Sequence, residues 1–260
     1  MSIRRVCLWL VPLAACGCAT LHSPPGPVIT DRPGYTDTPT VLPGGAVQVE
    51  AGYTSDRTGS TTYQSAGELL LRAGIGSRLE VRLFGNSYAT RTISGGPGVS
   101  GLEDSKLGAK LALIDKPDSV HTLMPKLALL AATTLPTGAR AFGAGVAQPE
   151  AKLAASWTTS TPFSVYSNAA IGGVYDGTGW GDHGWGSVAV WYGESSRVSF
   201  FVEGIHIYNI SGDAPAATDV DGGLTLGFGD RFQVDARIGR GVGGLNGSER
   251  FVGVGMGRRF

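Results

Sequence analysis

The sequence predicts an all-β fold, an antiparallel up-and-down transmembrane β-barrel of about twelve strands with a proline-rich N-terminal arm. Three observations predict it. Apolar and polar residues alternate with a period of two through most of residues 44–260, which is the pattern of strands with two different faces. Short and long connections alternate between these strands, as expected when hairpins join them at two rims. The less apolar face carries more charge than a soluble core buries.

The composition narrows the classes of protein to which the chain can belong. It has 260 residues, 21 basic and 21 acidic side chains, and 41 glycines, well above the usual share of about 7%. Beyond the N-terminus no run of about 18 apolar residues occurs, so no membrane-spanning helix is predicted. The charges form no basic patch, and we expect no nucleic-acid partner.

Residues 1–19 have the layout of a signal peptide, with Arg4 and Arg5 before an apolar run over 6–15. Leu13-Ala14-Ala15-Cys16 is similar to a bacterial lipobox, in which Cys16 would be acylated and become the new N-terminus. Ordinary cleavage after Ala19 is the alternative. All three cysteines lie in this segment, so the rest of the chain has no disulfide and no cysteine-bound metal.

Residues 20–43 contain six prolines, whose spacing disfavours both a helix and a central strand. We therefore predict an extended arm on the periplasmic side, followed by the barrel over residues 44–260. The arm starts beside the barrel mouth, which leads to the hypothesis that it tucks in as a partial plug.

The alternating runs are long enough, at roughly 9–11 residues, to cross a bilayer at a tilt. The last one is apolar on one face and almost bare glycine on the other, and it ends on Phe260. Such an end strand is typical of the signal that barrel assembly machinery recognises, and pairing with the first strand would cover its open edge. The runs lie near 47–54, 68–75, 79–84, 106–113, 125–134, 150–157, 163–175, 186–192, 198–203, 219–228, 232–238 and 250–260.

The connections place the two rims. We predict short ones, assigned to the periplasmic rim, at 76–77, 115–121, 159–162, 193–196 and 229–230. The predicted long ones lie at 55–62, 87–101, 135–147, 176–185, 209–217 and 240–248.

Two further sets of residues follow from the parity of the strands. Aromatic residues of outward parity near the strand ends predict a lipid-facing girdle: Tyr53, Tyr63, Trp157, Phe163, Tyr175, Tyr192, Tyr208, Phe228, Phe232 and Phe260. Charged residues of inward parity predict the pore lining: Glu50, Glu68, Arg72, Glu80, Arg82, Lys106, Lys110, Glu150, Lys152, Glu203, Asp221, Asp235 and Arg237. Their signs are mixed, and two interpretations stay open: a lumen closed by salt bridges, or a narrow pore whose charges select solutes.

The chain offers little for catalysis or cofactor binding. His206 and Ser199 have opposite parity, so they form no nucleophile–base pair of the kind a barrel lipase needs. His183 lies in a glycine-rich loop beside Asp176, and 219–222 lacks the later ligands of a calcium loop. No glycine-rich phosphate cradle opens a helix. We therefore expect no enzyme activity, no cofactor and no metal.

The start of the predicted mature chain resembles a bacterial outer-membrane family described as "putative MetA-pathway of phenol degradation". The resemblance rests on residues 29–39 (Ile-Thr-Asp-Arg-Pro-Gly-Tyr-Thr-Asp-Thr-Pro), on Leu-Pro-Gly-Gly at 42–45, and on a first strand Val-Gln-Val-Glu-Ala-Gly-Tyr-Thr at 47–54. The lipobox and the outward Arg258 near the terminus depart from the pattern of that family.

The resemblance implies a channel or transporter in the cell outer membrane, exported through its signal peptide, that passes small solutes, aromatic or otherwise hydrophobic ones among them. The expected partners are outer-membrane lipid, the barrel assembly machinery through Phe260, and a small-molecule solute. The alternative is a closed barrel of structural or adhesive role, with loops 87–101 and 176–185 as its contact surface.

Overall fold

The computed structural model describes residues 26–115, 124–159, 162–194, 197–210, 216–244 and 249–260. The predicted signal peptide and Cys16 lie outside these residues. The described chain forms fourteen strand segments in one antiparallel sheet: β1 Val47–Thr58, β2 Thr61–Ile75, β3 Leu79–Phe84, β4 Tyr88–Ile93, β5 Val99–Leu102, β6 Ser105–Ile114, β7 Lys126–Leu135, β8 Pro149–Thr158, β9 Phe163–Tyr175, β10 Trp180–Tyr192, β11 Val198–Asn209, β12 Ala217–Phe228, β13 Phe232–Gly244 and β14 Glu249–Arg259.

The sheet closes on itself through its first and last strands. β1 pairs with β14 from Gln48 opposite Arg259 to Thr58 opposite Glu249, and it pairs with β2 on its other side. The remaining strands follow their neighbours in sequence, so the predicted antiparallel up-and-down barrel is confirmed. Closure leaves no open edge on the terminal strand, which suits a wall in lipid, where backbone groups need internal partners.

The fourteen segments form twelve wall strands, because two of the wall strands are each interrupted and consist of two segments. One half of β2 pairs with β3, from Leu70 to Ile75, and its other half pairs with β4, from Thr61 to Ala66. β6 continues the wall from β3, and β5 pairs with β4. Thus β3 with β4, and β6 with β5, each occupy one position in the wall. The interruption coincides with a bulge in β2, where Gly67 and Glu68 have φ values of 102° and 35°.

The prediction of long loops at 87–101 and 176–185 is wrong. The first forms the β4–β5 hairpin, and in the second β10 already begins at Trp180. The connection predicted at 55–62 likewise shrinks to Gly59 and Ser60. Strands continue here through glycine, serine and threonine because the hydrogen-bond ladder needs only backbone groups once the chain leaves the apolar layer. Hydrophobic alternation therefore marks the membrane-embedded part of a strand and misses its extension.

Asp176 explains the tight turn between β9 and β10. Its Oδ1 accepts hydrogen bonds from the backbone N–H groups of Thr178 and Gly179, at 2.8 and 2.9 Å, and from the Thr178 hydroxyl at 2.7 Å. The hydrogen bond from that hydroxyl, followed by those from the two N–H groups, lowers the pKa of Asp176 to about 2. The carboxylate is thus a turn-forming group.

The two faces of the wall have inverted polarity. Large apolar side chains are exposed on the outer face, and Ile238 reaches 68% exposure. On the inner face Arg72, Glu80 and Lys110 are almost completely buried. Apolar outside and charged inside is the arrangement of a transmembrane barrel. Among the described residues no helix is long and apolar enough to cross a membrane.

A lysine on the outer face tests this assignment. Val254 lies halfway along β14, is 54% exposed and is flanked by Tyr53 and Ala236. Replacing Val254 with Lys should lower the free energy of unfolding from phospholipid vesicles by about 2–4 kcal/mol, because the charge enters hydrocarbon. Denaturant titration measures this difference. Val254→Met is the matched control and should be close to neutral; a neutral Val254→Lys would contradict a lipid-facing position.

Candidate functional site

The N-terminal arm lies inside the barrel. Residues 26–46 precede β1 without regular secondary structure, and many of their hydrogen bonds join them to inward-facing side chains of the wall. The arm enters beside the chain terminus, where the Gly26 carbonyl accepts a hydrogen bond from Arg259 Nη2 at 2.6 Å. It crosses to β9, where Asp37 and Asn168 exchange hydrogen bonds of 2.8 and 3.0 Å, and returns to β3, where the Leu42 N–H donates to Glu80 at 2.9 Å. The arm therefore spans the lumen.

Asp31 is the most densely paired residue of the arm. Its carboxylate binds Lys110 Nζ at 2.9 Å, lies 3.5 Å from Arg72 Nη1, and contacts the Arg82 guanidinium. The Thr38 N–H also donates to it at 3.0 Å. Burial alone would raise the pKa of this carboxyl, but the three surrounding cations hold it well below its usual range. Asp31 is therefore ionised at neutral pH and in mild acid.

Wall carboxylates complete the coordination of these cations. Arg72 donates from Nε and Nη2 to the two oxygens of Glu80, both at 2.9 Å, and from Nη1 to Glu50 at 3.0 Å. This fork-on-fork geometry is the strong form of an arginine–carboxylate pair. Glu50 also accepts the Asp31 N–H at 3.1 Å, so the wall holds the arm backbone as well as its side chain.

Asp37 forms a second anchor, six residues further along the chain. Its carboxylate contacts Lys152 and lies 3.2 Å from Arg82 Nη2. Burial works against the charge, but Lys152 and Arg82 lower the pKa of Asp37 below its ordinary value. Arg82 thus joins the two anchors into one cluster.

We name these eight side chains the arm–wall cluster, and its charges balance. The wall contributes four bases and two acids, and the arm contributes the other two acids: Arg72, Arg82, Lys110, Lys152, Glu50, Glu80, Asp31 and Asp37. Each of these eight side chains is buried or nearly buried, and an unpaired charge in such a position is costly. Without the arm, two of the four bases would lack a counter-ion.

Three other wall carboxylates, on β11, β13 and the bulge of β2, bind the arm differently. Glu203 accepts the Tyr35 N–H at 2.8 Å and the Thr36 hydroxyl at 2.7 Å, and that hydroxyl is also 2.7 Å from Ser187 Oγ. Arg32 donates to Glu68 at 2.7 Å and lies 3.7 Å from Asp235. The arm therefore presents acids to the bases of the arm–wall cluster, and backbone N–H groups and one arginine to these other carboxylates.

Inner-face glycines make room for Arg32 and Thr30. A Cβ added at Gly52 or Gly255 would lie 2.2 or 2.3 Å from the Arg32 guanidinium, and one at Gly257 would lie 2.4 Å from Thr30. The bare face of the last strand, visible in the sequence, is thus the groove in which the arm lies. The signal was present, but the sequence did not show what fills the groove.

The arm divides the lumen unequally. On the side away from the chain termini, two cavities of about 510 and 450 Å³ both include Tyr35, Arg82, Phe84 and Lys106. On the side of the termini, a cavity between the arm and Trp191 has a volume of about 30 Å³, room for roughly one or two waters. The arm therefore lies between the two larger cavities and this small one.

The larger space is lined by aromatic rings next to cations. Lys152 Nζ lies 4.4 Å from the centroid of the Trp185 ring, and Arg237 lies 4.8 Å from that of Tyr35. Arg82 lies 5.2 Å from the Phe84 ring. These are cation–π distances. We call this lined space the outer vestibule, and its residue types suit small aromatic molecules.

The predicted pore-lining residues lie on the inner face. Lys106 and Glu150 approach to 3.8 Å, and Asp221 lies 3.5 Å from Arg237. Arg237 also contacts the arm at the Tyr35 ring. Nine further ones contact the arm: Glu50, Glu68, Arg72, Glu80, Arg82, Lys110, Lys152, Glu203 and Asp235. The contribution of the arm was missing from that prediction, although its own Asp31, Arg32 and Asp37 supply the counter-charges.

The girdle prediction needs one correction. Tyr63 faces inward, where its hydroxyl donates to Glu103 and its ring lies 6.2 Å from Phe142. The bulge at Gly67 and Glu68 shifts the alternation of β2 by one residue, which simple parity counting misses. Exposed aromatic residues at the strand ends are Phe163, Tyr192, Tyr208, Phe228 and Phe260, and half-exposed ones are Tyr53, Trp157, Tyr175 and Phe232.

Comparison with known proteins places this geometry in context. The sequence of residues 30–260 matches the family described as "Putative MetA-pathway of phenol degradation". A comparison with curated protein sequences gave no match.

Solved structures share the fold. An outer membrane channel from Pseudomonas putida F1 is 17% identical with a TM-score of 0.69, covering 85% of this chain and 97% of that one. The translocator domain of the autotransporter NalP from Neisseria meningitidis is 12% identical with a TM-score of 0.58, covering 83% and 89%. The NanC porin is 10% identical with a TM-score of 0.55, covering 82% and 98%. At such identities the likeness concerns the fold.

Removing the Asp31 charge tests the anchoring of the arm. Asp31→Asn removes one counter-ion of three buried cations. Breaking a buried ion pair costs about 3–5 kcal/mol of stability, so the attachment of the arm should weaken by about that amount. Amide hydrogen exchange over residues 26–46 should accelerate roughly 100-fold or more. Asp230→Asn, at an exposed turn, removes the same charge and should leave the exchange of the arm unchanged. Unaltered protection in Asp31→Asn would contradict an arm held by this cluster.

Proposed function

Because this chain belongs to the family described as "Putative MetA-pathway of phenol degradation", we propose that it forms an outer-membrane channel for the passage of small solutes. The observation that carries the proposal is a closed wall, apolar outside and charged inside, whose lumen is occupied by one non-strand segment of the same chain. The similar fold of an outer membrane channel from Pseudomonas putida F1 supports it.

In this proposal the arm controls passage. It is attached through ion pairs and hydrogen bonds to side chains, and only its last residues join the sheet next to Gly74. It can therefore shift without breaking the barrel ladder. The cavity beside Trp191 has room for only about one or two waters, which supports passage of a larger solute after the arm moves.

The proposed solutes are small aromatic molecules, preferably anionic. Aromatic rings beside Lys152, Arg82 and Arg237 in the outer vestibule offer both stacking surfaces and positive charge. Phenol in the description of the family is consistent with this chemistry. The proposed direction of passage for such a compound is uptake into the cell.

We propose passage without catalysis. His206 Nδ1 lies 2.8 Å from the Thr218 hydroxyl, whereas Ser199 donates to the Gly193 carbonyl at 2.8 Å, so each has a separate partner. Within the described residues no three His, Cys, Asp or Glu side chains are grouped to hold a metal.

Assembly into the outer membrane is proposed to use the C-terminal residue. The Phe260 N–H donates to the Val47 carbonyl at 2.8 Å, and its exposed ring lies 5.1 Å from the Arg258 guanidinium. The ring is therefore available on the outer face at the closing seam. We propose that barrel assembly machinery recognises this strand and that export uses the segment 1–19, with Cys16 acylation as one form of the mature protein.

The arm-filled lumen also favours a second candidate, a closed barrel with a structural or adhesive role. Its contact surface would then be the β4–β5 hairpin and the β9–β10 turn. Conductance separates the two functions.

Locking the arm tests the channel proposal. Thr36→Cys with Ser187→Cys places two sulfurs where the hydroxyl oxygens are 2.7 Å apart, close enough for a disulfide. Protein refolded without residues 1–19 holds only these two cysteines. In planar bilayers its conductance should fall on oxidation and recover on reduction, since the disulfide prevents the arm from moving.

Each single cysteine variant is the control and should not respond to reductant. Equal conductance in the oxidised and reduced double variant would refute control by the arm. Silence of the wild type and of all variants, in folded protein, would favour the closed barrel.

Replacing one aromatic ring tests the solute class. Trp185→Ala should reduce the permeability ratio of benzoate to acetate roughly three- to tenfold, because the ring beside Lys152 is lost. Vesicle uptake assays measure the ratio. Trp180→Ala removes an exposed indole at the rim and should leave the ratio unchanged. An unchanged ratio in Trp185→Ala would remove the aromatic preference.

A further inference from the structure

Three arginines lie side by side on the outer face, near the rim opposite the chain termini. Arg57 of β1 is directly opposite Arg250 of β14, and Arg250 is directly opposite Arg240 of β13. All three are exposed, and their parity matches the outward Val252 and Ile238. Neighbouring strands are about 5 Å apart, so three positive charges fall within roughly 10 Å. We name them the rim arginines.

No described carboxylate neutralises the rim arginines. Arg57 Nε donates to the Gly59 carbonyl at 3.3 Å, and no ion pair within the described residues involves Arg57, Arg240 or Arg250. The nearest acids along the strands, Asp56 and Glu249, have inward parity. Like charges on directly opposite residues destabilise a sheet. An external anion would offset this cost.

The row of the rim arginines continues into an apolar hollow. Across the sheet, Arg240 pairs with Val220, Val220 with Gly204, and Gly204 with Val188. The next row towards the middle of the barrel contains Val252, Ile238, Gly222, Val202 and Val190. Because Gly204 and Gly222 lack side chains, the valines and Ile238 surround a concavity of about 970 Å³.

The hollow lies on the outside of the wall. Val202 is 64% exposed, whereas the residues that alternate with its lining, Glu203, Asp221 and Phe251, are buried towards the lumen. It is therefore separate from the outer vestibule. Tyr208, further along β11 towards the same rim, is exposed on the outer face. Interfacial aromatic residues mark the depth of the lipid headgroups, and the rim arginines lie near that level.

We propose that the rim arginines and the hollow bind one phosphorylated, multiply acylated lipid of the outer leaflet. The guanidinium groups would bind its phosphates, because arginine donates two parallel hydrogen bonds to such an anion. An acyl chain would lie over Gly204 and Gly222. Charge complementarity selects an anionic lipid, and the adjoining hollow selects an acylated phosphate over a free one. The inference rests on the proposed outer-membrane location and does not depend on conductance.

Direct binding of a defined lipid tests the site. Purified protein in detergent is titrated with synthetic bis-phosphorylated hexa-acyl lipid A, and the complex is counted by native mass spectrometry. Replacing the rim arginines together by glutamine, as R57Q/R240Q/R250Q, should weaken binding at least about tenfold. R78Q/R231Q/R258Q removes three exposed arginines at the opposite rim and is the charge-matched control, expected to bind like wild type.

A second variant tests the hollow without changing charge. A Cβ added at Gly204 meets no atom within 4 Å, so Gly204→Leu is expected to fold and to fill the concavity. It should weaken binding of the acylated probe, and excess inorganic phosphate should not displace that probe from wild type.

Wild-type binding by R57Q/R240Q/R250Q, or equal loss in both triple variants, would overturn the proposal. If inorganic phosphate displaces the lipid, the site binds free phosphate and the proposal is wrong. The proposal is also wrong if the wild type is a dimer and only R57Q/R240Q/R250Q is a monomer, because the rim arginines would then be a contact between two copies of the chain. Conductance measurements on the same samples separate the lipid-site proposal from the channel proposal. If the wild type binds lipid but conducts no ions, the channel proposal is refuted and the lipid site stands.

Discussion

The pairing of arm carboxylates with wall bases is the interaction on which the interior depends. Arg72, Lys110 and Arg82 are buried at positions where a soluble barrel would carry leucine or valine. Buried cations are tolerable only with counter-ions at hydrogen-bond distance. The wall supplies part of these through Glu50 and Glu80, and the arm supplies the rest through Asp31 and Asp37. The outer face needs no such arrangement, because lipid solvates its apolar side chains.

Shape supports the same arrangement. Gly52, Gly255 and Gly257 leave a groove that Arg32 and Thr30 occupy, so the arm fits one face of the lumen and its charges fit the other. Without Arg32 and Thr30 the groove would be an empty space, and without Asp31 and Asp37 the wall bases would lack a counter-ion. The interior is therefore specified by side-chain contacts of an irregular segment, while the wall is specified by backbone pairing.

Much of the wall could be predicted from sequence because its rule is local. Alternation with a period of two fixes which face meets lipid, as the exposed Val254 and the buried Lys110 show. The rule fails where a bulge adds a residue to a strand and shifts its alternation of faces. The bulge at Glu68 in this way turns Tyr63 inward. The rule also fails at the β4–β5 hairpin, which forms from residues of mixed polarity. The contacts of Asp31 with Lys110 join residues far apart in the chain, and no local pattern encodes that distance.

The charge balance of the arm–wall cluster has a consequence for ion preference. With the arm in place, four positive and four negative side chains cancel. Withdrawing the arm takes Asp31 and Asp37 away together and leaves that wall with a surplus of two positive charges. A positive wall attracts anions and repels cations. Withdrawal also takes Arg32 away from Glu68 and Asp235, so the two sides of the lumen would become oppositely charged. The segment that fills the lumen thus also masks a separation of charge across it.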